Sequence, residues 1–281
     1  MASNDQPTVA SPPSPDPSGS EAVPTDAPPL PPMTAEQQEA ELSQAVTALT
    51  DEDTEPGDRR RSLARLVRLQ VRQRGVKDLF KPKQAVQWIA DSVSSVAPYI
   101  SIRDLETLRR HHDGLEGDAL AERLVRNASR VTAAIGAAGG GVAAIEWTVT
   151  PALLSAPVLL ASETVAVVAV ELKLIGELHE VYGQPIQGGG THRAVTLVQA
   201  WAQRKGVNPL VISGGVAAAL GTAARKELRD RLMRRLGRNL TTLGPFLTGA
   251  AVAGFLNRRS TIGLGEEITK DLKRHPRVIE A

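Results

Sequence analysis

Two glutamates and two histidines near the middle of the chain have the side-chain types that general acid–base catalysis uses. Glu177 and Glu180 are three residues apart, which places both carboxylates on one face of a helix. His179 lies between them, and His192 follows beyond a glycine-containing loop. A carboxylate pair beside an imidazole can transfer protons, so a hydrolase that uses these four residues is one hypothesis. A polar face of a long helix explains the same pattern.

A His-His-Asp run at positions 111–113 is a candidate group of metal ligands. Consecutive side chains of a helix point about 100° apart, so His111 and His112 do not converge on one ion without further ligands. The sequence contains no cysteine, which excludes disulfides, a thiol nucleophile and every cysteine-based zinc or iron–sulfur site. We therefore predict a solvated helix end here, and we predict no metal and no other cofactor.

Three consecutive glycines precede Thr191 and form a candidate anion site, because backbone amides near a helix start can bind an anion. The glycines are Gly188, Gly189 and Gly190. The sequence contains no G-x-x-x-x-G-K-[ST] run, which excludes a P-loop nucleotide site. It also lacks the G-x-S-x-G turn of α/β-hydrolases. The glycines at 136–141 do not follow a predicted strand, as a dinucleotide-binding fingerprint would.

Charge is divided unequally along the chain. The 281 residues carry 33 Lys and Arg and 31 Asp and Glu, for a net charge of +2. Residues 1–58 hold 12 acidic residues and no Lys or Arg, so the other 223 residues hold 33 basic and 19 acidic residues, a net charge of +14. A basic body of this kind predicts an anionic partner, either phospholipid headgroups or nucleic acid. The acidic segment is predicted to be an intramolecular partner of the same basic residues.

Two basic amphipathic helices are predicted, at 59–83 and 225–238. In the first, Leu63 and Leu66 lie on one face, and arginines spaced four, three and four residues apart lie on another. The pattern is typical of a helix on an anionic membrane surface, although the outer face of a core-packed helix gives it too. The arginines predicted to meet lipid are Arg61, Arg65, Arg68, Arg72, Arg225, Arg229, Arg231, Arg234 and Arg235. DNA binding, through a helix-turn-helix in residues 62–112, is the rival prediction, although aromatic residues are scarce.

Helices are expected to position these side chains, and several of their start signals are readable. Thr34 followed by Gln37 predicts a capping box that opens a short acidic helix. Pro82 predicts the first residue of another helix, and Ser260 the start of a last one that ends near residue 274. No stretch alternates polar and apolar residues between turn dipeptides, so a β-sheet is not required. We predict an all-α fold of about eight helices. The helix prediction is weakest for residues 164–175, because that run is rich in β-branched residues.

Composition divides the chain into four predicted regions. Residues 1–33 form a proline-rich arm, with ten of the 19 prolines in residues 1–32, and we predict that it is disordered. Residues 34–58 form a short acidic helix and a linker. Residues 59–130 form a basic amphipathic helical region. Residues 131–281 form a Gly/Ala-rich helical core.

Small residues recur at four-residue spacing in the last region, a pattern that predicts closely packed helical hairpins. The glycines expected at these contacts are Gly136, Gly140, Gly215, Gly221, Gly249 and Gly254. The apolar run at 152–170 contains nine Leu or Val residues, worth about −2.7 to −5.4 kcal/mol toward membrane insertion. Glu163 near its centre costs about 2.5–3.5 kcal/mol. We therefore predict buried hairpins, with insertion of paired hairpins as the alternative.

Several of these stretches are similar to the EcsC family of bacterial proteins. The similar runs are Gly-Ala-Ala-Gly-Gly-Gly at 136–141, Thr-Pro-Ala-Leu-Leu at 150–154, Glu-Leu-His-Glu-Val-Tyr-Gly at 177–183, and Gly-Pro-Phe-Leu-Thr-Gly at 244–249. The last run leads through Gly254, Asn257 and Gly263 to Gly265, and the similarity covers about residues 125–273. It implies a helical, membrane-associated bacterial protein with a transporter-linked protein partner. It implies no established activity.

Together these observations predict a non-enzymatic protein, peripheral to a membrane or partly inserted, that docks on anionic lipid through its arginine-rich helices. Residues 1–32 have neither the basic nor the apolar region of a secretory signal, so we expect the cytoplasmic side of the membrane. A hydrolase and a DNA-binding protein are the alternatives.

Overall fold

Helices form the regular structure in every described part of the chain. The computed structural model describes residues 33–145, 156–205 and 246–275. These three stretches contain eight α-helices and no β-strand, so the predicted all-α fold is confirmed. The helices are α1 (Ala35–Thr50), α2 (Pro56–Arg74), α3 (Pro82–Val96), α4 (Leu105–His111), α5 (Gly117–Ile145), α6 (Ala156–Val181), α7 (Gly190–Arg204) and α8 (Phe246–Arg274).

Some predicted features fall in the rest of the chain. Residues 1–32 of the proline-rich arm and the second basic amphipathic helix, at 225–238, lie outside the described residues. The same is true of two glycines predicted at helix contacts, Gly215 and Gly221.

Two predicted helix starts are confirmed by their backbone geometry. The Thr34 side chain accepts a hydrogen bond of 3.2 Å from the Gln37 amide, and the Gln37 side chain accepts one of 2.9 Å from the Thr34 amide. This capping box opens α1. Helix α3 begins at Pro82, so the prediction of Pro82 as a first helical residue is also confirmed. Both signals depend on residues within one helical turn, so the sequence contains them in full.

The predicted start of the last helix at Ser260 is wrong. Helix α8 begins at Phe246 and continues through Ser260 to Arg274. No proline lies between these ends, so nothing in the sequence breaks the helix. The Ser260 hydroxyl accepts a hydrogen bond of 2.9 Å from the Lys205 ammonium group instead of capping a helix.

Helix α6 lies at the centre of the described structure. It contacts each of the seven other α-helices of the described residues, and no residue from 157 to 181 is exposed. Apolar residues occur on every side of α6, and a helix with this pattern needs to be covered on every side. The β-branched run at 164–175 is helical because tertiary packing outweighs a weak intrinsic preference. One core cluster extends from Val46 in α1 to Leu272 in α8.

Helices α5 and α8 pack against each other in antiparallel directions, with glycines at the contacts. Gly136 faces Gly254, and further along the pair Val125 faces Gly265. A Cβ atom at Gly136 would lie 2.8 Å from the Gly254 amide nitrogen, and one at Gly254 would lie 2.8 Å from the Ala133 carbonyl oxygen. Backbone therefore approaches backbone, which only glycine permits here. Two other glycines of the predicted contacts, Gly140 and Gly249, lie within these same helices.

We expect Gly254→Ala to lower the free energy of unfolding by about 1–3 kcal/mol, because the added methyl group overpacks a backbone contact. Alanine's better helix propensity, worth about 1 kcal/mol, offsets only part of that loss. Gly263 lies in the same helix, and a Cβ atom there would meet nothing within 4 Å. Gly263→Ala is therefore the matched control and should raise stability by about 0.5–1 kcal/mol. Urea denaturation followed by circular dichroism measures both changes, and equal effects of the two substitutions would contradict the close contact.

Candidate functional site

The four residues of the predicted acid–base group do not form one site. Glu177 is buried, and its carboxylate accepts hydrogen bonds from Arg103 and Lys173. His179 Nδ1 lies 3.2 Å from the Gln184 carbonyl oxygen. His192 is exposed, and within the described residues no hydrogen bond or ion pair joins any two of Glu177, His179, Glu180 and His192.

Burial shifts two of these groups toward their neutral forms. Burial lowers the pKa of His179, and the nearby Arg204 charge lowers it further, although the Gln184 carbonyl opposes the shift. Burial raises the pKa of Glu180, and the charge of Arg193 only partly offsets this. In the described part of the chain, His179 and Glu180 are joined by no hydrogen bond or ion pair, so the geometry gives no support to proton transfer between them.

A largely buried ion cluster surrounds Arg103 instead. The Arg103 guanidinium donates hydrogen bonds of 2.7 and 3.0 Å to the two Glu177 carboxylate oxygens. It donates a third, of 2.8 Å, to Glu52 in the loop between α1 and α2. Asn127 of α5 also donates to Glu52, and His112 Nε2 lies 3.5 Å from the same carboxylate. The cluster thus ties together α5, α6 and the loops beside α1 and α4.

The charges of this cluster stabilise one another. Burial alone would lower the pKa of Arg103, but the hydrogen bonds and charges of Glu177 and Glu52 outweigh it and raise that pKa. Burial alone would raise the pKa of Glu52, but Arg103 and Asn127 lower it below its ordinary value. Arg103 therefore holds a permanent positive charge against an ionised Glu52.

A second buried cluster surrounds Glu171, a residue of α6 that is only 2% exposed. Its carboxylate accepts hydrogen bonds of 2.7 Å from Trp201 Nε1, 3.1 Å from Lys205 Nζ and 3.3 Å from Thr261 Oγ1. Farther along α6, Glu163 accepts a bond of 3.1 Å from Asn257. These contacts join α6 to α8 and to the C-terminal end of α7. Sequence reasoning assigned no partners to these glutamates, because all three donors to Glu171 lie at least 30 positions away.

An open cleft of about 580 Å³ lies beside the Arg103 cluster. It is bounded by the loop between α1 and α2, the C-terminal end of α4 and the middle of α5. Its basic lining residues are Arg59, His111, His112, Arg123 and Arg130, and its acidic lining residues are Glu52, Asp53 and Asp113.

The two histidines of the predicted metal group line this cleft in different states. His111 is exposed, with Nε2 3.2 Å from an Asp53 oxygen, whereas His112 is only 5% exposed. The expected solvated helix end is therefore wrong for His112, which is the C-terminal cap residue of α4 and is buried, while the chain turns at Asp113, where φ is +55°. Within the described residues no three His, Cys, Asp or Glu side chains are arranged to hold a metal ion.

Arginines of α2 form a row on the face opposite the core. Arg61, Arg65 and Arg68 are exposed and Arg72 is half-buried, whereas Leu63 and Leu66 on the other face are buried. We call Arg61, Arg65 and Arg68 the arginine surface. Arg61 pairs with Asp58 at 3.2 Å, and both side chains are well exposed, at 80% and 57%. Such an ion pair is weak in water and leaves the guanidinium accessible.

The candidate anion site at the three glycines leads directly into α7. Gly189 precedes the first turn of the helix, and Gly188 has a φ of +111° that side-chain-bearing residues rarely adopt. The ring of His192 lies against Gly188. A Cβ atom at Gly188 would be only 2.6 Å from His192 Nδ1. This close approach accounts for one glycine of the run without a ligand.

The described architecture defines an all-α protein with one buried central helix, two buried ion clusters and an exposed arginine row. No protein-family model, no curated protein and no solved structure matches this chain. Among the helices of the described stretches, none combines the length and the apolar character needed to cross a bilayer.

Proposed function

We propose that this is a non-enzymatic peripheral membrane protein that docks on anionic lipid through the arginine surface of α2. The observation that carries the proposal is the exposure of Arg61, Arg65 and Arg68 on one face of a helix whose opposite face is buried in the core. A rigid helix held in this way presents its charges together. Of the other arginines predicted to meet lipid, Arg72 is half-buried, and the rest lie at 225–235, outside the described residues.

The expected strength follows from simple electrostatics. Arg61 and Arg68 are two helical turns apart, about 10 Å along the axis. Each basic residue near an anionic membrane surface contributes about 1 kcal/mol. The net charge of +14 on residues 59–281 acts in the same direction at longer range. Salt at about 0.5 M screens these interactions to within a few ångströms and should release the protein.

The test is sedimentation of the full chain with vesicles. We expect binding to vesicles that contain phosphatidylglycerol, little binding to pure phosphatidylcholine, and release by about 0.5 M salt. The triple substitution Arg61→Gln, Arg65→Gln, Arg68→Gln should weaken binding by about 100-fold, since three contributions of about 1 kcal/mol are lost.

A matched control removes the same charge elsewhere. Arg109, Arg110 and Arg274 are exposed and lie on α4 and α8, so their joint replacement by glutamine should change affinity far less. An equal loss in both triple variants would mean that net charge alone matters. Failure of the unaltered chain to bind phosphatidylglycerol vesicles at low salt would overturn the proposal. If the unaltered chain shifted duplex DNA in a gel at physiological salt, that result would instead favour the DNA-binding alternative.

The acidic N-terminal segment is proposed to compete with lipid for the same arginines. Only part of it can be removed to test this, because α1 buries Val46 and Leu49 in the core and Glu52 pairs with Arg103. Residues 1–32 carry four of the 12 acidic residues, and their deletion leaves these contacts in place. In the same vesicle assay this deletion should raise affinity, and an unchanged affinity would remove the competition from the proposal.

The relation to the EcsC family is likewise a proposal. It rests on the runs at 136–141, 150–154, 177–183 and 244–249, and the helical architecture agrees with the expectation that the family raises. Bacterial origin, the cytoplasmic face of a membrane and a transporter-linked protein partner all depend on that relation. The hydrolase alternative gains no support from the geometry, because Glu177 is already held by Arg103 and Lys173.

A further inference from the structure

We propose that the cleft between α4, α5 and the α1–α2 loop binds a phosphate group, held by Arg123, Arg130 and His112. This goes beyond lipid docking by the arginine surface, because the cleft and that surface share no residue. The phosphate belongs either to a free phosphorylated small molecule or to a lipid headgroup.

Two arginines without ion-pair partners among the described residues, Arg123 and Arg130, line the cleft. Arg123, Asn127 and Arg130 are four and three residues apart on α5, so they form a single stripe that lines the cleft. Arg123 is half-buried and Arg130 is exposed. Neither guanidinium forms a hydrogen bond or ion pair with a described residue. Guanidinium groups bind phosphate oxygens through paired N–H donors, and two of them would balance a phosphate dianion.

Most of the cleft's other charges already have partners. Glu52 is held by Arg103 and Asn127, and Asp53 lies 3.2 Å from His111 Nε2. Arg59 donates to three backbone carbonyls, at 2.9, 2.9 and 3.0 Å, and so shapes the loop that forms one wall. Asp113 is the remaining acidic lining residue, and it is exposed at the turn that follows α4. The unpaired charge that lines the cleft is therefore mainly positive.

A second, independent observation that points to a ligand is the unsatisfied nitrogen of His112. Its side chain is only 5% exposed, and its Nε2 atom is buried without a hydrogen-bond partner among the described residues. The nearest carboxylate oxygen, on Glu52, lies 3.5 Å from Nε2, too far for a good hydrogen bond. Leaving such a nitrogen unsatisfied is unfavourable, and a small rotation of the His112 ring at the cleft wall would let it donate to a ligand oxygen. The cleft's volume of about 580 Å³ leaves room for the group that carries the phosphate.

The test uses the full chain and two kinds of probe. Calorimetric titrations with inorganic phosphate and with glycerol 3-phosphate examine free ligands, and vesicles containing phosphatidic acid examine a headgroup. The double substitution Arg123→Gln, Arg130→Gln should weaken phosphate binding by at least about tenfold, since charge-assisted hydrogen bonds are lost. His112→Asn should weaken it by a smaller factor. Arg126→Gln is the matched control, because Arg126 is exposed on the same helix but does not line the cleft.

Each outcome decides the proposal. Loss of binding to the free phosphates in the double variant would identify a small phosphorylated ligand, and loss confined to vesicles would identify a headgroup. Equal losses in the double variant and in Arg126→Gln, or no dependence on Arg123 and Arg130 with either probe, would overturn the phosphate site. The triple variant of the arginine surface should still bind free phosphate, so failure of lipid docking and failure of this site can be told apart.

Discussion

Replacement of Arg103 by glutamine is expected to lower the free energy of unfolding by about 3–5 kcal/mol, the cost of breaking a buried ion pair by removing one partner. The substitution removes three hydrogen bonds from two carboxylates. Glu177 keeps only Lys173 as a charged partner, at 2.6 Å, and Glu52 keeps the amide of Asn127. The Glu177 carboxylate is only 4% exposed, so solvent cannot readily replace the donors that it loses, whereas Glu52, at 13% exposed, lines the open cleft and can regain water.

Chemical denaturation of the unaltered chain and the variant measures this loss directly. Arg109 provides the control, since it pairs with Glu116 at 3.1 Å while both side chains are well exposed, at 44% and 63%. Arg109→Gln should cost less than about 1 kcal/mol. If Arg103→Gln were as mild as this control, the cluster would not be a stabilising element.

The pH dependence of the same pair of proteins gives a second signature. The pKa of Glu52 is lowered in the folded chain, so the stability that its ionised form contributes is complete above the ordinary value of 4.5. That stability is lost as the pH falls through the lowered folded value. We therefore expect the stability difference between the unaltered chain and Arg103→Gln to shrink below about pH 4.5. A difference that stayed constant down to the lowered value would contradict the coupling of Arg103 to Glu52.

Replacement of Lys205 by methionine is expected to cost about 3–5 kcal/mol as well. Lys205 forms the ion pair with the buried Glu171 at 3.1 Å, and methionine keeps most of the side-chain length without the charge. Trp201 and Thr261 would still donate to Glu171, but neither neutralises it. A carboxylate that is 2% exposed would then carry its charge with two neutral donors alone.

A double-mutant cycle separates this effect from loss of packing. Glu171→Gln removes the buried charge, so the double variant Glu171→Gln, Lys205→Met should be more stable than the sum of the single losses predicts. Lys273→Met is the exposed control, because Lys273 and Asp118 form an ion pair with side chains 44% and 62% exposed. Strict additivity of the two buried substitutions would contradict a direct interaction between Glu171 and Lys205.

The parts of the fold that sequence predicts are those fixed by neighbouring residues. The capping box at Thr34 and the helix start at Pro82 depend on residues within one turn, so a linear pattern contains the whole signal. Ser260 carries a similar local signal, yet it lies inside α8, where its hydroxyl accepts a hydrogen bond from Lys205 at the end of α7. Tertiary partners therefore decide whether a start signal is used.

The same limit applies to the candidate sites. Arg103 and Glu177 are 74 positions apart, and no local spacing relates them. Glu177 and His179, grouped by proximity in sequence, point about 200° apart on a helix and reach different partners. One local signal was present, since Lys173 and Glu177 are four residues apart within an apolar run, a spacing that favours an ion pair over catalysis. The unpartnered His112 nitrogen has no counterpart in the sequence pattern.

The glycine contacts between α5 and α8 also have a consequence for synthesis of the chain. Thr132 and Thr261, which meet at this interface, are 129 positions apart. At about 5–20 residues per second, a ribosome needs about 6–26 s to extend the chain from one to the other. Throughout that interval the small-residue face of α5 lacks the helix that finally covers it. The order of translation therefore makes α8 the last of the described helices to dock, so this face of α5 stays uncovered until the residues around Thr261 have been synthesised.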